Sequence, residues 1–234
     1  MTILKRITFF CTIQLFITTA IKAQCCYYST YEDFVNDKFE RLDSVYCINH
    51  SKHSQIWMGG NDYTLRTGNK DINKILKKKA FAVMQNDTIY VNCRNLCFEK
   101  MYFGNGYARA KRIGQHSLLF VNRIIGIHAQ RSLFNAEWAF GMIGSYTSAK
   151  KQMDLQVCYI ISNGPDKNGL INLHLVDDQV IEQMVTNEDL RKAYFSEKEK
   201  KKRLLAKHII PILDKAGIFN QSISLAPFSF TLSE

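Results

Sequence analysis

The chain has 234 residues, of which 46% are hydrophobic and 22% are charged, and it contains only three prolines. This ordinary globular composition excludes a low-complexity chain, and the length suits one sizeable domain. The formal net charge is +10 at pH 7, so the composition favours anionic partners over cationic ones.

Residues 1–23 have the pattern of a signal peptide. Lys5 and Arg6 form a positive segment, and the apolar stretch that follows is shorter than the ~20 residues that a transmembrane helix needs. Ala23 is a small residue suited to signal peptidase, so we expect cleavage before Gln24. The sequence therefore predicts an exported protein, periplasmic or secreted, and the alternative for this segment is a short membrane anchor.

Removal of this leader takes away three positive charges and no negative ones, which lowers the formal charge of the mature chain from +10 to +7. The remaining positive charges cluster at residues 77–79, 150–151 and 198–203. For an exported protein, the partners that match this charge are anionic envelope lipids or acidic glycans, and not nucleic acid. The alternative is a basic surface without a specific partner. No transmembrane span is predicted in the mature chain.

The first predicted element is a short helix. Ser29 or Thr30 can cap it, and Glu32 and Asp33 suit its positive N-terminus. Three strands separated by polar turns and a Gly-Gly break are predicted next, at residues 45–48, 55–58 and 62–66.

Two histidines, His50 and His53, lie between the first two of these strands. Residues three apart share a face only on a helix, and this segment has the composition of a polar loop. We therefore favour a surface loop over a metal site. Asp71 is then predicted to cap a short helix whose apolar face carries Ile72, Ile75 and Leu76.

The stretch from Lys79 to His128 is predicted to be the centre of the fold. Its apolar strands alternate with turn residues, and Asn and Gly tolerate the positive φ that tight hairpins require. The turns are Gln85 to Asp87, Gly104 to Gly106, and Gly114 with Gln115. The strands are residues 80–84, 88–92, 107–113 and 117–121.

Further strands are predicted at residues 155–161 and 169–175, as a hairpin around a turn at 166–168, and the apolar segment 137–146 is assigned to the core. From Asp177 the apolar period changes from two to about 3.6. Helices are predicted to begin at three residues, Asp177, Asn187 and Ser196. A kink is expected at Pro211, and the last helix is expected to end at Gly217.

These elements predict an α+β fold with an antiparallel β-rich body, a sandwich or an open roll, and two to three C-terminal helices packed on one side. Residues 24–234 are expected to form a single domain. It is mainly β over residues 24–176 after the short N-terminal helix, helical over 177–217, and a tail over 218–234.

Six cysteines remain after removal of the leader: Cys25, Cys26, Cys47, Cys93, Cys97 and Cys158. An even number in an oxidising compartment suggests disulfides, but six thiols allow fifteen full pairings and the sequence does not choose among them. On a straight strand, Cys93 and Cys97 would be ~13 Å apart, too far to pair unless the residues between them turn. Adjacent Cys25 and Cys26 are expected to have separate partners. Disulfides or free buried thiols are favoured over zinc, because C-x₃-C without a second tight pair is a weak metal motif.

No catalytic signature is present: G-x-S-x-G, H-E-x-x-H, Walker A and G-x-G-x-x-G are all missing. The sequence therefore favours a non-enzymatic binding or structural protein of the cell envelope, with no cofactor, and a third hypothesis is an adaptor at a membrane or glycan surface. The alternative is a hydrolase that uses Cys93 or Cys97 with His116 or His128, or a pair of carboxylates.

The best candidate for an anionic contact is a basic run near the C-terminus: Lys198, Lys200, Lys201, Lys202 and Arg203. Residues 197–203 are seven consecutive charged residues, so contact with an anionic partner should be electrostatic and sensitive to salt. The alternative is a solvated helix face.

Several short segments carry a family resemblance: residues 30–38 just after a leader ending in Ala-Gln, residues 87–92 and 106–110, and the small-residue segment 140–144. In these segments the chain resembles uncharacterised exported proteins of Bacteroidota, although Asp37 stands where a Gly is usual. The resemblance brings no assigned activity. It implies O-glycosylation at Asp-Ser/Thr followed by an aliphatic residue, a motif that places Ser44 and Thr88 as candidate sites.

Overall fold

The structure is a computed structural model that describes residues 25–126, 147, 149–151 and 153–219. The predicted leader, the apolar segment 137–146, His128 and the tail from residue 220 onward lie outside the described residues.

The body of the fold is a large antiparallel sheet, and the structure confirms the predicted α+β class. Within the described residues, eight strands follow one another in the order β13-β11-β10-β9-β6-β5-β1-β2. Two further strands, β3 and β4, form a ribbon that joins the sheet where Tyr63 pairs with Tyr107 of β9. The strands of this sheet are β1 (Cys25–Tyr28), β2 (Glu40–Leu42), β3 (Tyr46–Asn49), β4 (Tyr63–Arg66), β5 (Ala82–Gln85), β6 (Thr88–Asn92), β9 (Tyr107–Ile113), β10 (Ser117–Arg123), β11 (Gln156–Ile161) and β13 (His174–Leu175).

A small second sheet has the order β12-β7-β8 and comprises β7 (Leu96–Phe98), β8 (Met101–Tyr102) and β12 (Ile171–Asn172). β12 runs parallel to β7, and β8 is antiparallel to it. The predicted strand over residues 169–175 is therefore divided: only β13 pairs with β11, as the predicted hairpin requires, and β12 joins the other sheet.

The described helices lie at both ends of the chain and between the early strands. Those whose full range is described are α1 (Tyr31–Val35), α2 (Lys52–Met58), α3 (Lys70–Lys78), α4 (Asp178–Met184), α5 (Glu188–Phe195), α6 (Lys200–Arg203) and α7 (Ala206–Lys215), and residues 147, 149–151, 153 and 154 are also helical. None of the described helices is long and apolar enough to cross a membrane.

The large sheet is buried on both faces, because alternate residues of each strand point to opposite sides. On one side, Tyr28, Phe120 and Tyr159 pack with residues of α1 and of the small sheet. On the other side, Leu119 and Ile160 pack against the C-terminal helices, as predicted. At the far end of this second side, α3 covers another group of core residues through the buried Leu76.

Two of the three predicted hairpin turns form, between β5 and β6 and between β9 and β10, whereas the Gly104–Gly106 turn links β8 of the small sheet to β9 and closes no hairpin. Asn86 and Asp87 both have positive φ, 49° and 61°, in the tight turn between β5 and β6, and Gln85 pairs with Thr88 across it. Thr30 caps α1 through a reciprocal capping box with Asp33. Asp37 has a φ of 52°, in the left-handed region that favours glycine.

Three predictions in the first third of the chain are wrong, the first of them in part: Lys52 and His53 belong to helix α2, so the loop predicted around His50 and His53 ends at Ser51. Residues 55–58 form the end of helix α2 and not a strand, because Ser51 caps the helix and Gln55 turns inward to donate to Asp62 Oδ1 at 3.0 Å. The cap of α3 is Asn69, whose Oδ1 accepts from the backbone N–H groups of Asp71 and Ile72. Asp71 lies in the first turn instead, where its charge suits the helix dipole.

The third C-terminal helix is interrupted, and Ser196 does not begin it. Ser196 instead follows the last residue of α5, and its hydroxyl donates to Ala193 O at 2.7 Å. The chain becomes extended at Leu205, which forms a bridge with Val157 of β11 and separates α6 from α7. Pro211 lies inside α7, and Gly217 follows its end with a φ of 72°, as predicted.

Candidate functional site

The basic run near the C-terminus divides into exposed lysines and one enclosed arginine. Lys198, Lys200 and Lys201 are exposed, and Lys202 Nζ lies 2.7 Å from Glu199 Oε1. Arg203 turns away from solvent and has only 13% of its side chain exposed. The run therefore presents fewer unpaired cations than the sequence indicates.

Arg203 joins three helices. Its guanidinium donates to both carboxylate oxygens of Asp178, at 3.0 and 2.6 Å, and to the carbonyl oxygens of Glu197 and Lys198. The Tyr194 hydroxyl donates to the same carboxylate at 2.9 Å. The bonds from Arg203, and a further one from Tyr194, hold the pKa of Asp178 below its usual range.

The candidate glycosylation residues lie in different surroundings. Ser44 is exposed in the loop before β3, and Thr88 is the half-buried first residue of β6. Modification at either residue stays a prediction.

All six described cysteines are free thiols, and five of them are buried. Cys26, Cys93, Cys97 and Cys158 have pKa values raised by burial, that of Cys158 to about 12. Cys47, on the exposed ribbon strand β3, is the accessible one of this set. The structure thus agrees with the free-thiol alternative and shows no disulfide among these six.

The arrangement does not favour a cysteine nucleophile. Cys93 Sγ donates to the carbonyl of Val91, and Cys97 Sγ donates to Asn172 Oδ1 at 3.0 Å. Burial raises the pKa of both thiols, which disfavours the reactive thiolate. Among the described residues, no group of three or more His, Cys, Asp or Glu side chains is arranged to hold a metal ion.

A cleft of about 780 Å³ lies between the β3–β4 ribbon, helix α3 and the turn before β9. Ser54 and Met58 of α2 line one end, and Asn105 and Gly106 line the turn side. We refer to this feature as the basic cleft, because its charged side chains are all positive. They are Arg66, Lys70, Lys74, Lys77 and Lys78.

Helix α3 supplies four of these five cations because of its helical spacing. Residues 70, 74, 77 and 78 recur at intervals of three and four and so share one face. The opposite face carries Ile72, Ile75 and the buried Leu76, which pack on the sheet. Burial of that apolar face fixes the row of lysines toward the cleft.

Two buried polar side chains fasten α3 to the sheet. The Tyr107 hydroxyl donates to Leu76 O at 2.5 Å. Asn92 Nδ2 donates to Leu76 O at 3.1 Å and to Ala80 O at 2.9 Å. The bonds to Leu76 O satisfy a carbonyl in the last turn of α3 that has no partner within the helix, and the bond to Ala80 O holds the chain just after it. The position of the basic wall is therefore fixed by the β6–β9 pair.

The turn side of the cleft is held by Asn61, which is buried. Its Nδ2 donates to the carbonyl oxygens of Phe103, Gly104 and Asn105, at 3.1, 3.3 and 2.9 Å. Its Oδ1 accepts from Asn122 Nδ2 at 2.9 Å. One amide therefore ties the Gly104–Gly106 turn to the ribbon on one side and to β10 on the other.

The electrostatics of the basic cleft favour an anion. No Asp or Glu is among its lining residues. Lys74 Nζ lies 3.0 Å from Asp71 Oδ1, but both side chains are largely exposed, so this pair neutralises little. Within the described part of the chain, no carboxylate forms a salt bridge with Arg66, Lys70, Lys77 or Lys78.

A second cleft, of about 470 Å³, has mixed charge. Asp62 and Asp87 line it together with Arg109 and Lys111. Arg109 also lies over the Tyr63 ring, 5.2 Å from its centroid. Because both signs are present, this cleft shows no preference for an anion over a cation.

The sequence signal for the basic cleft was present in part. The run at residues 77–79 is visible as a positive cluster. Lys74 and Lys70 precede it by about one and two helical turns, so on a helix they share its face. Arg66 and the Gly104–Gly106 turn come to the same place only through the pairing of β4 with β9. No local pattern predicts that pairing.

Comparison with known families and structures gives one match. The family described as Family of unknown function (DUF6563) matches residues 26–219. No curated protein matches the chain, and no solved structure does.

Proposed function

The chain belongs to this family of unknown function, and we propose that it is an exported protein of the cell envelope that binds an anionic ligand in the basic cleft without catalysing a reaction on it. One observation carries the proposal: five cations and no carboxylate line a single cleft.

Export is supported by residues 1–23, whose positive segment, short apolar core and Ala23 follow the signal-peptide pattern. In the envelope, an abundant class of anion is the acidic glycan or the lipid headgroup. A positive cleft raises the local concentration of such ligands and orients them.

A binding role is supported by the chemistry of the lining residues. General acid–base catalysis needs a titratable group within hydrogen-bond reach of the reacting atoms. In the cleft, His50 Nε2 is engaged with Thr64 Oγ1 at 2.8 Å, and the Tyr107 hydroxyl is committed to a backbone carbonyl. Neither a carboxylate nor a thiol lines the cleft. The residues present can hold an anion, and the four lysines are exposed and not desolvated in an apolar pocket, the setting that activates many lysine nucleophiles.

The test compares two triple variants that remove the same charge. Lys70→Gln, Lys74→Gln and Lys77→Gln together should weaken binding of an acidic polysaccharide by between about threefold and about a hundredfold, since three exposed ion pairs of roughly 0.2–1 kcal/mol each sum to about 0.6–3 kcal/mol. The matched control is Lys198→Gln, Lys200→Gln and Lys201→Gln, on the basic run. Titration calorimetry at low ionic strength measures both, and circular dichroism checks that both remain folded.

The proposal fails if the cleft variant binds as well as the parent, or if the parent binds no anion. A loss of binding confined to the control variant would move the site to the C-terminal basic run. Export is tested separately: the mass of the protein recovered outside the cytoplasm should correspond to a chain that begins at Gln24. An intact leader or a lipid on Cys25 would contradict the export proposal.

A further inference from the structure

We propose that the ligand of the basic cleft is an extended acidic glycan, a chain with a carboxylate or sulfate on its repeating sugar, that lies along helix α3. This inference rests on the proposed function, and it states which anion the cleft accepts. A single phosphate or another small anion is the contrasting ligand.

The cations are spaced to contact a row of negative charges and not a single small anion. Lys70, Lys74 and Lys78 are successive steps of four residues, so they extend over about 12 Å of helix at ~1.5 Å per residue. A site for one small anion instead gathers several donors around one position. A chain that presents a negative charge at intervals can engage the lysines one after another.

The size of the cleft supports the same conclusion. At about 780 Å³ it lies within the ~300–1,000 Å³ range of sites that enclose whole organic ligands. An ion the size of phosphate would leave most of this space to water. Several sugar residues can occupy it.

The uncharged lining suits sugar hydroxyl groups, which both donate and accept hydrogen bonds. Ser54, Thr64 and Asn105 contribute hydroxyl and amide groups to the cleft. Gly59 and Gly60 have no side chain, so backbone atoms border this part of the cleft. Carboxylates or sulfates can then meet the lysines while hydroxyl groups meet this neutral lining.

The same lining argues against two other anionic macromolecules. Single-stranded nucleic acid is held by exposed aromatic rings on which bases stack. Tyr107 is the aromatic residue of the lining, and it is 3% exposed with its hydroxyl committed to Leu76 O. A membrane presents its headgroups over a broad surface, whereas these cations form one row along a concave cleft, which an extended chain can follow.

The experiment uses the mature protein and a length series of oligogalacturonate, from the monomer through the tetramer to the polymer. We expect the tetramer to bind between about threefold and about a hundredfold more tightly than the monomer, because its three additional carboxylates can each form a surface ion pair of roughly 0.2–1 kcal/mol. A steep decrease of affinity with salt should accompany this gain, since each charge contact on a polyanion releases a counterion. Inorganic phosphate and a single-stranded DNA of equal charge are the comparison ligands.

The cleft variant (Lys70→Gln, Lys74→Gln, Lys77→Gln) should lose both the length dependence and most of the salt slope. The control on the basic run (Lys198→Gln, Lys200→Gln, Lys201→Gln) should retain both. If inorganic phosphate binds as tightly as the tetramer and only the cleft variant loses it, the glycan inference is wrong and the anion-binding function stands. DNA binding as tight as that of the glycan also overturns the inference. Absence of binding to every anion overturns the proposed function itself.

Discussion

Arg203 and Asp178, 25 residues apart, meet through two nearly parallel hydrogen bonds, Nε to Oδ1 at 3.0 Å and Nη2 to Oδ2 at 2.6 Å. The planar guanidinium matches the carboxylate in a way that a lysine ammonium cannot. The pair fastens α6 to α4 at the point where a chain of seven charged residues meets the core.

Replacement of Arg203 should therefore destabilise the fold more than replacement of its neighbour. We expect Arg203→Gln to lower the thermal midpoint by at least about 2–4 °C, the shift produced by the loss of roughly one hydrogen bond in a protein of this size. Lys202→Gln is the matched control, because Lys202 makes an exposed pair with Glu199 and should change the midpoint little. Equal effects of the two changes would show that Arg203 is an ordinary surface residue.

The Arg203–Asp178 pair should also make stability depend on pH. The folded-state pKa of Asp178 is lowered. The ionised carboxylate therefore stabilises the folded protein fully at pH values above its unfolded-state pKa of about 4. This stabilisation is lost as the pH falls through the lowered pKa. The difference in unfolding free energy between the parent and Arg203→Gln should therefore be largest near neutral pH and shrink below about pH 4. Denaturant titrations across this range measure it, and a constant difference would refute the assignment.

The thiols should divide sharply by accessibility. A maleimide reagent should label Cys47 in the native protein and leave the five buried cysteines unmodified, because burial excludes the reagent and raises the pKa of four of them. Intact-mass measurement gives the number of labels, and Cys47→Ser should abolish native labelling. Denaturation should expose the others without any reductant. A requirement for reductant would show that disulfides form in the compartment where the protein resides.

Asn61 should be important for stability, although it lies in a loop. Asn61→Ala leaves three carbonyl groups and the amide of Asn122 without this partner. We expect a loss of about 2–3 kcal/mol in unfolding free energy, or roughly 4–10 °C in the thermal midpoint. The control is Asn105→Ala, which changes an exposed side chain in the Gly104–Gly106 turn that Asn61 holds, and we expect it to have a small effect on stability. Similar midpoints for the two variants would contradict the role assigned to the Asn61 amide.

Two glycines of the same turn should respond differently to a methyl group. Both have positive φ, 84° at Gly104 and 105° at Gly106. A Cβ at Gly106 would lie 3.0 Å from Tyr63 O and 3.1 Å from Asn61 N, while one at Gly104 would meet no atom within 4 Å. Gly104→Ala should cost about 1 kcal/mol from backbone strain alone, and Gly106→Ala about twice that or more. Chemical denaturation ranks the two, and a reversed order would contradict the packing described here.

The parts of the fold that sequence predicted correctly are those fixed by local chemistry. The turn at Asn86 and Asp87 needs residues that tolerate positive φ, and the cap at Thr30 needs a hydroxyl three residues before Asp33. The apolar character of residues 55–58 suits a strand as well as a helix. Helix α2 is fixed by the Ser51 cap, which is a local signal, together with the inward hydrogen bond from Gln55 to Asp62, which no sequence pattern reveals.

The candidate site was less predictable for a related reason. The basic run at residues 198–203 is prominent in the sequence, but Arg203 is drawn inward by a carboxylate 25 residues earlier. The basic cleft is less prominent in the sequence because Arg66, Lys70 and Asn105 come from separate elements. Their proximity depends on tertiary pairing, which neither charge nor spacing along the chain reveals.

The β3–β4 ribbon is attached to the sheet at Tyr63 and Tyr107, whereas β6 pairs with β9 over four residues. Few backbone hydrogen bonds therefore join the ribbon to the sheet, and its attachment depends on the side chains of Asn61 and Leu65, so we expect it to open locally before the sheet does. Arg66 and Thr64 belong to this ribbon, and Lys77 belongs to a helix fastened to the sheet. A ligand held by both walls stabilises the arrangement in which the ribbon is attached to the sheet. Occupancy of the cleft should therefore slow amide hydrogen exchange in residues 46–66, so that the exchange rate reports on ligand binding.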